Sequence, residues 1–115
     1  MGLDMYMYLE EEGKEPTSIA YWRKHPNLHG FFTKKWEDLG YGKKENFNGD
    51  TLELTDEIID EALFKIVMNA LPNTDGFFFG ESEFTKEAIE QDIESLKVAQ
   101  RLVRDGKRVV YYADW

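Results

Sequence analysis

The sequence predicts a single α+β domain with two layers, in which three helices cover a small mixed sheet of about four strands. Three observations lead to this prediction. Stretches that alternate apolar and polar side chains lie near both ends of the chain, three stretches between them carry apolar residues at helical spacing, and the length of 115 residues suits one domain. Residues 1–115 are therefore expected to form one domain.

The first two elements are predicted strands. From residue 3 to residue 10, apolar side chains occupy the odd positions, while polar or aromatic side chains occupy the even positions. A charged stretch with Gly13 and Pro16 then predicts an exposed loop. Residues 17–24 alternate less clearly and suit a short second strand, which ends before Pro26.

Two helices and one short strand are predicted in the middle of the chain. Apolar residues at helical spacing indicate a helix over about 26–39, and Gly40 suits its end. Residues 51–54 suit a very short strand. Thr55 is a natural N-cap for a second helix over about 56–71, which carries a broad apolar stripe.

The remaining elements are a strand, a helix and a strand. Residues 77–79, three phenylalanines between glycines, predict a strand in the core, with an exposed interface as the alternative. Thr85 suits the cap of a third helix that runs to about Arg104, and residues 108–112 predict the final strand. If these two strands are parallel, the helix forms a right-handed crossover between them, as in a mixed sheet.

The composition excludes several classes of protein. The chain has no cysteine, so it has no disulfide bond, thiolate metal site or cysteine nucleophile. It has no apolar run long enough to span a membrane and no recognisable secretory signal, so we expect a cytoplasmic protein. The net charge of −9 argues against binding to bulk nucleic acid or to an anionic membrane.

The charge is distributed unevenly. Residues 19–44, here called the basic segment, carry six basic and two acidic side chains, a net charge of +4 that leaves −13 for the rest. Arginine beside aromatic rings suits an anionic ligand or a carboxylate of a partner protein. The alternative is an amphipathic helix whose aromatic side chains face the core. The candidate binding residues are Tyr21, Trp22, Arg23, Lys24, His25 and His29.

A second candidate surface joins the two ends of the chain. If the first and last strands are neighbours, six polar and aromatic side chains could share one face of the sheet. The alternative is that an edge strand simply carries polar residues on its outer side. The six residues are Asp4, Tyr6, Tyr8, Tyr112, Asp114 and Trp115.

The sequence contains no recognisable catalytic or metal-binding motif. His25 and His29 have the spacing of a metal-binding pair on a helix, but Pro26 displaces His25 from that helix and the surrounding charge is positive. No nucleophile elbow, phosphate-binding loop, dinucleotide fingerprint or zinc-protease motif is present. We therefore predict no catalytic residue, no metal ion and no cofactor.

Four short motifs together resemble a family of small proteins encoded by bacteriophages and prophages. They are residues 1–6 (MGLDMY), 21–24 (YWRK), 76–80 (GFFFG) and 111–115 (YYADW). The motifs are spread over nearly the whole chain. The resemblance implies an accessory phage protein that acts in the cytoplasm of a bacterial host, and it carries over no catalytic residues.

The leading hypothesis is a non-enzymatic binding protein. It would engage a host protein or a small anionic signalling molecule through the basic segment, with an anti-defence or host-modulating role. This hypothesis follows from the missing catalytic motifs, the basic segment and the acidic remainder. Formation of a homo-oligomer is compatible with it.

Two alternatives belong to other classes. The first is a small enzyme that processes a phosphoester or nucleotide, in which Arg23 and Lys24 hold phosphate, His29 transfers a proton and Asp4 or Asp114 orients it. It requires His29 to lie beside a carboxylate in an open pocket. The second is an acidic inhibitor whose helix carboxylates imitate the phosphates of DNA.

Overall fold

The computed structural model describes residues 3–23, 25–43, 47–72 and 85–115. Seven elements follow one another along these residues. They are β1 (Asp4–Glu10), β2 (Thr17–Arg23), α1 (Pro26–Asp38), β3 (Thr51–Glu53), α2 (Asp56–Val67), α3 (Lys86–Arg104) and β4 (Arg108–Asp114).

The strands form one four-stranded sheet in the order β2-β1-β4-β3. The first and last strands are central neighbours, with Asp4 opposite Asp114 and Glu10 opposite Arg108. The predicted α+β domain with four strands and three helices is confirmed, but every pairing between described strands is antiparallel instead of mixed. The expected parallel crossover involves residues 77–79, which lie outside the described residues.

Most element boundaries agree with the sequence pattern. The hydroxyl groups of Thr55 and Thr85 accept hydrogen bonds from backbone N–H groups in the first turns of α2 and α3, as expected of N-caps. The predicted end of α2 is too late, because Asn69 has a left-handed φ of 51° and stops the helix despite the apolar residues after it.

All three helices pack on one side of the sheet, here called the covered face. The odd positions of β1 point into this layer, as do Leu52, Tyr111 and Trp22 from the other strands. Trp36, Phe32 and Tyr111 are among the largest fully buried side chains. None of the described helices is long and apolar enough to cross a membrane.

The opposite side of the sheet is here called the open face, because no described helix packs on it. It carries the even positions of β1 and their neighbours in register. Its residues are Asp4, Tyr6, Tyr8 and Glu10 of β1, Ser18, Tyr21 and Arg23 of β2, Thr51 and Glu53 of β3, and Arg108, Val110, Tyr112 and Asp114 of β4.

Candidate functional site

The structure divides the predicted site in the basic segment between two sides of the sheet. Tyr21 and Arg23 lie on the open face and are exposed, whereas Trp22 lies on the covered face because successive strand residues alternate. His25 and His29 are buried, and Lys24 lies outside the described residues. The described members of the set therefore do not lie together on one surface.

Trp22 and His25 are bound to a buried carboxylate. Trp22 Nε1 donates to Oδ1 of Asp92 at 2.7 Å, and His25 Nε2 lies 2.6 Å from Oδ2 of the same residue. Asp92 is 4% exposed. These three residues, here called the Asp92 network, join β2 and the start of α1 to α3. The sequence contains a signal for Asp92, since this carboxylate stands on the same helical stripe as Ile89 and Leu96.

His29 belongs to a second buried network, formed with Thr33 and Tyr111. The Tyr111 hydroxyl lies 2.6 Å from His29 Nδ1, and Thr33 Oγ1 lies 3.4 Å from Nε2. Thr33 also donates to the His29 carbonyl at 2.8 Å, which leaves its oxygen available to Nε2–H. Burial lowers the pKa of His29 to about 4 and raises the pKa of Tyr111 well above its ordinary value. We therefore assign the uncharged form to His29, with its Nδ1 accepting a hydrogen bond from the Tyr111 hydroxyl.

These contacts can be compared with the two functions that the sequence suggests for the basic segment, catalysis and anion binding. The enzymatic alternative needs an open His29 beside a carboxylate, whereas this ring is 4% exposed and also packs against Phe47 and Trp115. The anion-binding interpretation needs Trp22 and His25 at the surface beside Arg23, and both are buried against Asp92. Neither arrangement is formed by the described residues.

The second candidate surface is brought together for five of its six residues. Asp4, Tyr6, Tyr8, Tyr112 and Asp114 lie side by side on the open face. Trp115 does not join them.

The indole ring of Trp115 instead meets His29 edge-on, with ring centroids 4.7 Å apart, and its backbone exchanges two hydrogen bonds with the side chain of Asn48. Its odd position after β4 places it on the side of Tyr111, a parity that the sequence already contains.

Four tyrosines form a continuous group on the open face, here called the tyrosine cluster. Tyr6 is at its centre, with ring centroids 5.4 Å from Tyr8, 5.1 Å from Tyr21 and 6.2 Å from Tyr112. The sequence places Tyr21 in the basic segment, and this residue reaches the cluster because it lies opposite Tyr6 in register. Aromatic rings at these separations interact favourably beyond their burial.

Burial and nearby carboxylates raise the pKa of three tyrosines of the cluster. The Tyr21 hydroxyl donates to Asp4 Oδ1 at 2.7 Å, and this bond is the main reason that its pKa is raised. Burial, and then the negative charges of Asp4 and Asp114, raise the pKa of Tyr6. Burial and Asp114 act in the same way on the pKa of Tyr112. At neutral pH Tyr6, Tyr21 and Tyr112 therefore offer aromatic surface and hydroxyl groups that donate hydrogen bonds.

The two ends of the open face differ in charge. At one end Arg108 lies 2.7 Å from Glu10 and 3.1 Å from Glu53, so the charges are paired across three strands. At the other end, here called the carboxylate end, Asp4 and Asp114 are direct cross-strand partners. The described residues contain no group of three or more side chains suited to holding a metal ion.

Comparison with protein-family models, with curated proteins and with solved structures found no match to this chain. Membership of a phage family therefore stays a prediction.

Proposed function

We propose that this chain is a non-enzymatic binding protein that engages a partner protein through the open face. The observation that carries the proposal is the tyrosine cluster, a continuous aromatic surface on a side of the sheet that no described helix covers. Tyrosine supplies a large contact area with few rotatable bonds and a polar end, and it is enriched at the centres of protein interfaces.

The contacts of the other candidate residues support binding over catalysis. Trp22 and His25 are hydrogen-bonded to Asp92 inside the protein, and His29 is hydrogen-bonded to Tyr111 and Thr33. The pairing of β1 with β2 and β4 fixes the backbone positions from which the tyrosine side chains project. A surface that is already ordered loses little conformational entropy on binding.

The resemblance to phage proteins points to a bacterial host protein as the partner and to an anti-defence or host-modulating role in the cytoplasm. Of the ligand classes expected from the sequence, a protein suits the extended open face better than a small anion does. Arg23 is an exposed cation at the edge of the cluster, and it stands opposite Asp4, whose negative charge opposes an anion.

Site-specific photo-crosslinking tests the proposal. One variant carries a photoreactive benzoylphenylalanine in place of Tyr21, which is 44% exposed on the open face. The control carries it in place of Phe64, which is 62% exposed on α2, away from the sheet. In bacterial lysate we expect the Tyr21 variant to capture a defined protein that the Phe64 variant does not.

Competition shows whether the captured protein recognises the tyrosine cluster. Excess unmodified protein should suppress the cross-link, whereas a Tyr6→Thr/Tyr112→Thr variant should not, since it loses two rings but keeps residues that favour strands. Circular dichroism confirms that the double variant folds. The proposal fails if both positions capture the same proteins or if the double variant competes as well as the unmodified chain.

A further inference from the structure

The open face carries an unbalanced charge at one end. In an antiparallel pair, like charges on directly opposite residues are destabilising and opposite charges are stabilising. At one end of the β1–β4 pair, Glu10 lies opposite Arg108, which is a favourable pair of opposite charges. At the other end, Asp4 lies opposite Asp114, which is an unfavourable pair of like charges. The fold therefore holds two carboxylates together where its own stability gains nothing from the arrangement.

One internal hydrogen bond reduces this imbalance without removing the charge. Asp4 accepts from the Tyr21 hydroxyl at 2.7 Å, and the negative charge of Asp114 helps to raise the pKa of Tyr112. A neutral hydroxyl group shares a proton with a carboxylate but does not neutralise it. Arg23 is opposite Asp4 in register, yet within the described ranges no basic side chain lies within 4.0 Å of either carboxylate.

The shallow groove beside the tyrosines has the same sign of charge. Among the described residues its lining includes three rings of the tyrosine cluster and the carboxylates of Glu15, Asp114 and Glu10, of which Glu10 is paired with Arg108, and it includes no basic side chain. Carboxylates and aromatic rings in one lining attract a cation by two separate effects, ion pairing and the interaction of the cation with the ring electrons.

We propose that the carboxylate end receives an arginine side chain from a basic segment of the partner protein. This inference rests on the proposed function and names the class of partner. The guanidinium group would lie between Asp4 and Asp114 and against the rings of Tyr6 and Tyr112. Arginine suits this position better than lysine, because its planar group can bond to two carboxylates at once and stack on an aromatic ring.

A peptide experiment tests the charge of the partner directly. The probe is a short synthetic peptide in which arginine alternates with serine, and matched peptides carry lysine, glutamine or glutamate in place of arginine. Binding is measured by calorimetry and by NMR shifts of the tyrosine rings. We expect the affinity order arginine, lysine, glutamine, glutamate, with the largest shifts at Tyr6 and Tyr112 and a steep loss of affinity as salt is added.

Two charge-matched variants separate a specific site from the general acidity of the chain. Asp4→Asn/Asp114→Asn removes two charges from the carboxylate end, and Glu57→Gln/Glu94→Gln removes two from exposed positions on the helices. We expect the first to weaken binding of the arginine peptide about tenfold and the second to change it by less than about twofold.

The outcomes distinguish this inference from the proposed function. Equal weakening by both variants, equal binding of the glutamine peptide, or no binding of the arginine peptide would overturn the inference. If the protein captured through Tyr21 contacts the open face with a neutral or acidic segment, the inference is also wrong while the proposed function stands. A basic contact segment whose affinity falls in the Asp4→Asn/Asp114→Asn variant supports both.

Discussion

The two faces of this sheet place the same kinds of side chain in different surroundings. On the covered face, histidine, tyrosine and aspartate complete hydrogen-bonded networks inside the protein. On the open face, tyrosines and aspartates are partly exposed. Tyr111 and Tyr112 are neighbours in sequence, yet the first is fully buried against His29 and the second belongs to the tyrosine cluster. Position in the strand, more than residue type, decides which of these side chains are buried in hydrogen-bonded networks and which are partly exposed on the open face.

Among the substitutions that compare the two faces, replacement of Asp92 is expected to change the free energy of unfolding most. In Asp92→Ala, Trp22 Nε1 and His25 Nε2 lose their shared acceptor inside the protein, which should lower the free energy of unfolding by about 4 kcal/mol. Asp114→Ala on the open face should change it by less than about 0.5 kcal/mol. Urea denaturation of both variants measures the difference, and similar losses would show that Asp92 is no more structural than Asp114.

Acid should destabilise the covered face through His29. Its pKa is lowered from about 6.5 in the unfolded chain to about 4 in the folded protein, so the unfolded state binds more protons between these values. The contribution of neutral His29 to the free energy of unfolding is therefore fully present above about pH 6.5. It is lost as the pH falls toward about 4, which lowers the free energy of unfolding by up to about 3 kcal/mol.

The variant His29→Gln isolates this contribution, because an amide does not titrate. Urea denaturation at about pH 7 and about pH 4.5 should show a smaller difference for the variant than for the unmodified protein. Other groups that titrate in acid, such as Asp56 with a pKa lowered mainly by its hydrogen bonds to Arg104 and Gln100, act equally in both proteins. An unchanged pH dependence in the variant would contradict the buried, neutral state of His29.

A matched pair of smaller changes separates the faces at adjacent residues. Tyr111→Phe removes the hydroxyl next to His29 Nδ1 and should cost about 2 kcal/mol of stability. Tyr112→Phe removes a hydroxyl from the open face and should cost less than about 0.5 kcal/mol. Thermal or urea denaturation checks both values. Equal costs would mean that the two faces do not differ in how strongly their polar groups hold the fold.

Periodicity predicts most of the described elements and the two faces of β1. The alternation in residues 3–10 correctly separates buried Met5 and Met7 from Tyr6 and Tyr8, and both threonine caps are predicted correctly. The same alternation, applied to β2 and to the end of β4, places Trp22 and Arg23 on opposite faces of the sheet and Trp115 on the side of the core. The candidate set in the basic segment is divided between the two faces because it rests on charge in the sequence and not on alternation.

Contacts between distant residues need the folded chain. The bond between His29 and Tyr111 depends on how α1 packs against β4, which neither residue's local pattern specifies. The adjacency of Asp4 and Asp114 depends on the strand order. From the sequence it follows only if the first and last strands are neighbours, which the alternation within each strand does not specify. Asp92 is an intermediate case, because a carboxylate on an apolar helical stripe indicates a buried partner without naming it.

The smallest expected effect has the opposite sign and tests the carboxylate end without any partner. Asp4→Asn/Asp114→Asn relieves like-charge repulsion and should raise the free energy of unfolding by about 0.5 kcal/mol, while the new amide oxygen at position 4 can still accept from Tyr21. Glu10→Gln breaks the pair with Arg108 and should lower it by about the same amount. Urea denaturation at low salt measures both changes. A double variant that gains stability and loses affinity for the arginine peptide would show that the carboxylates are retained for binding, whereas a loss of stability would make them part of the fold.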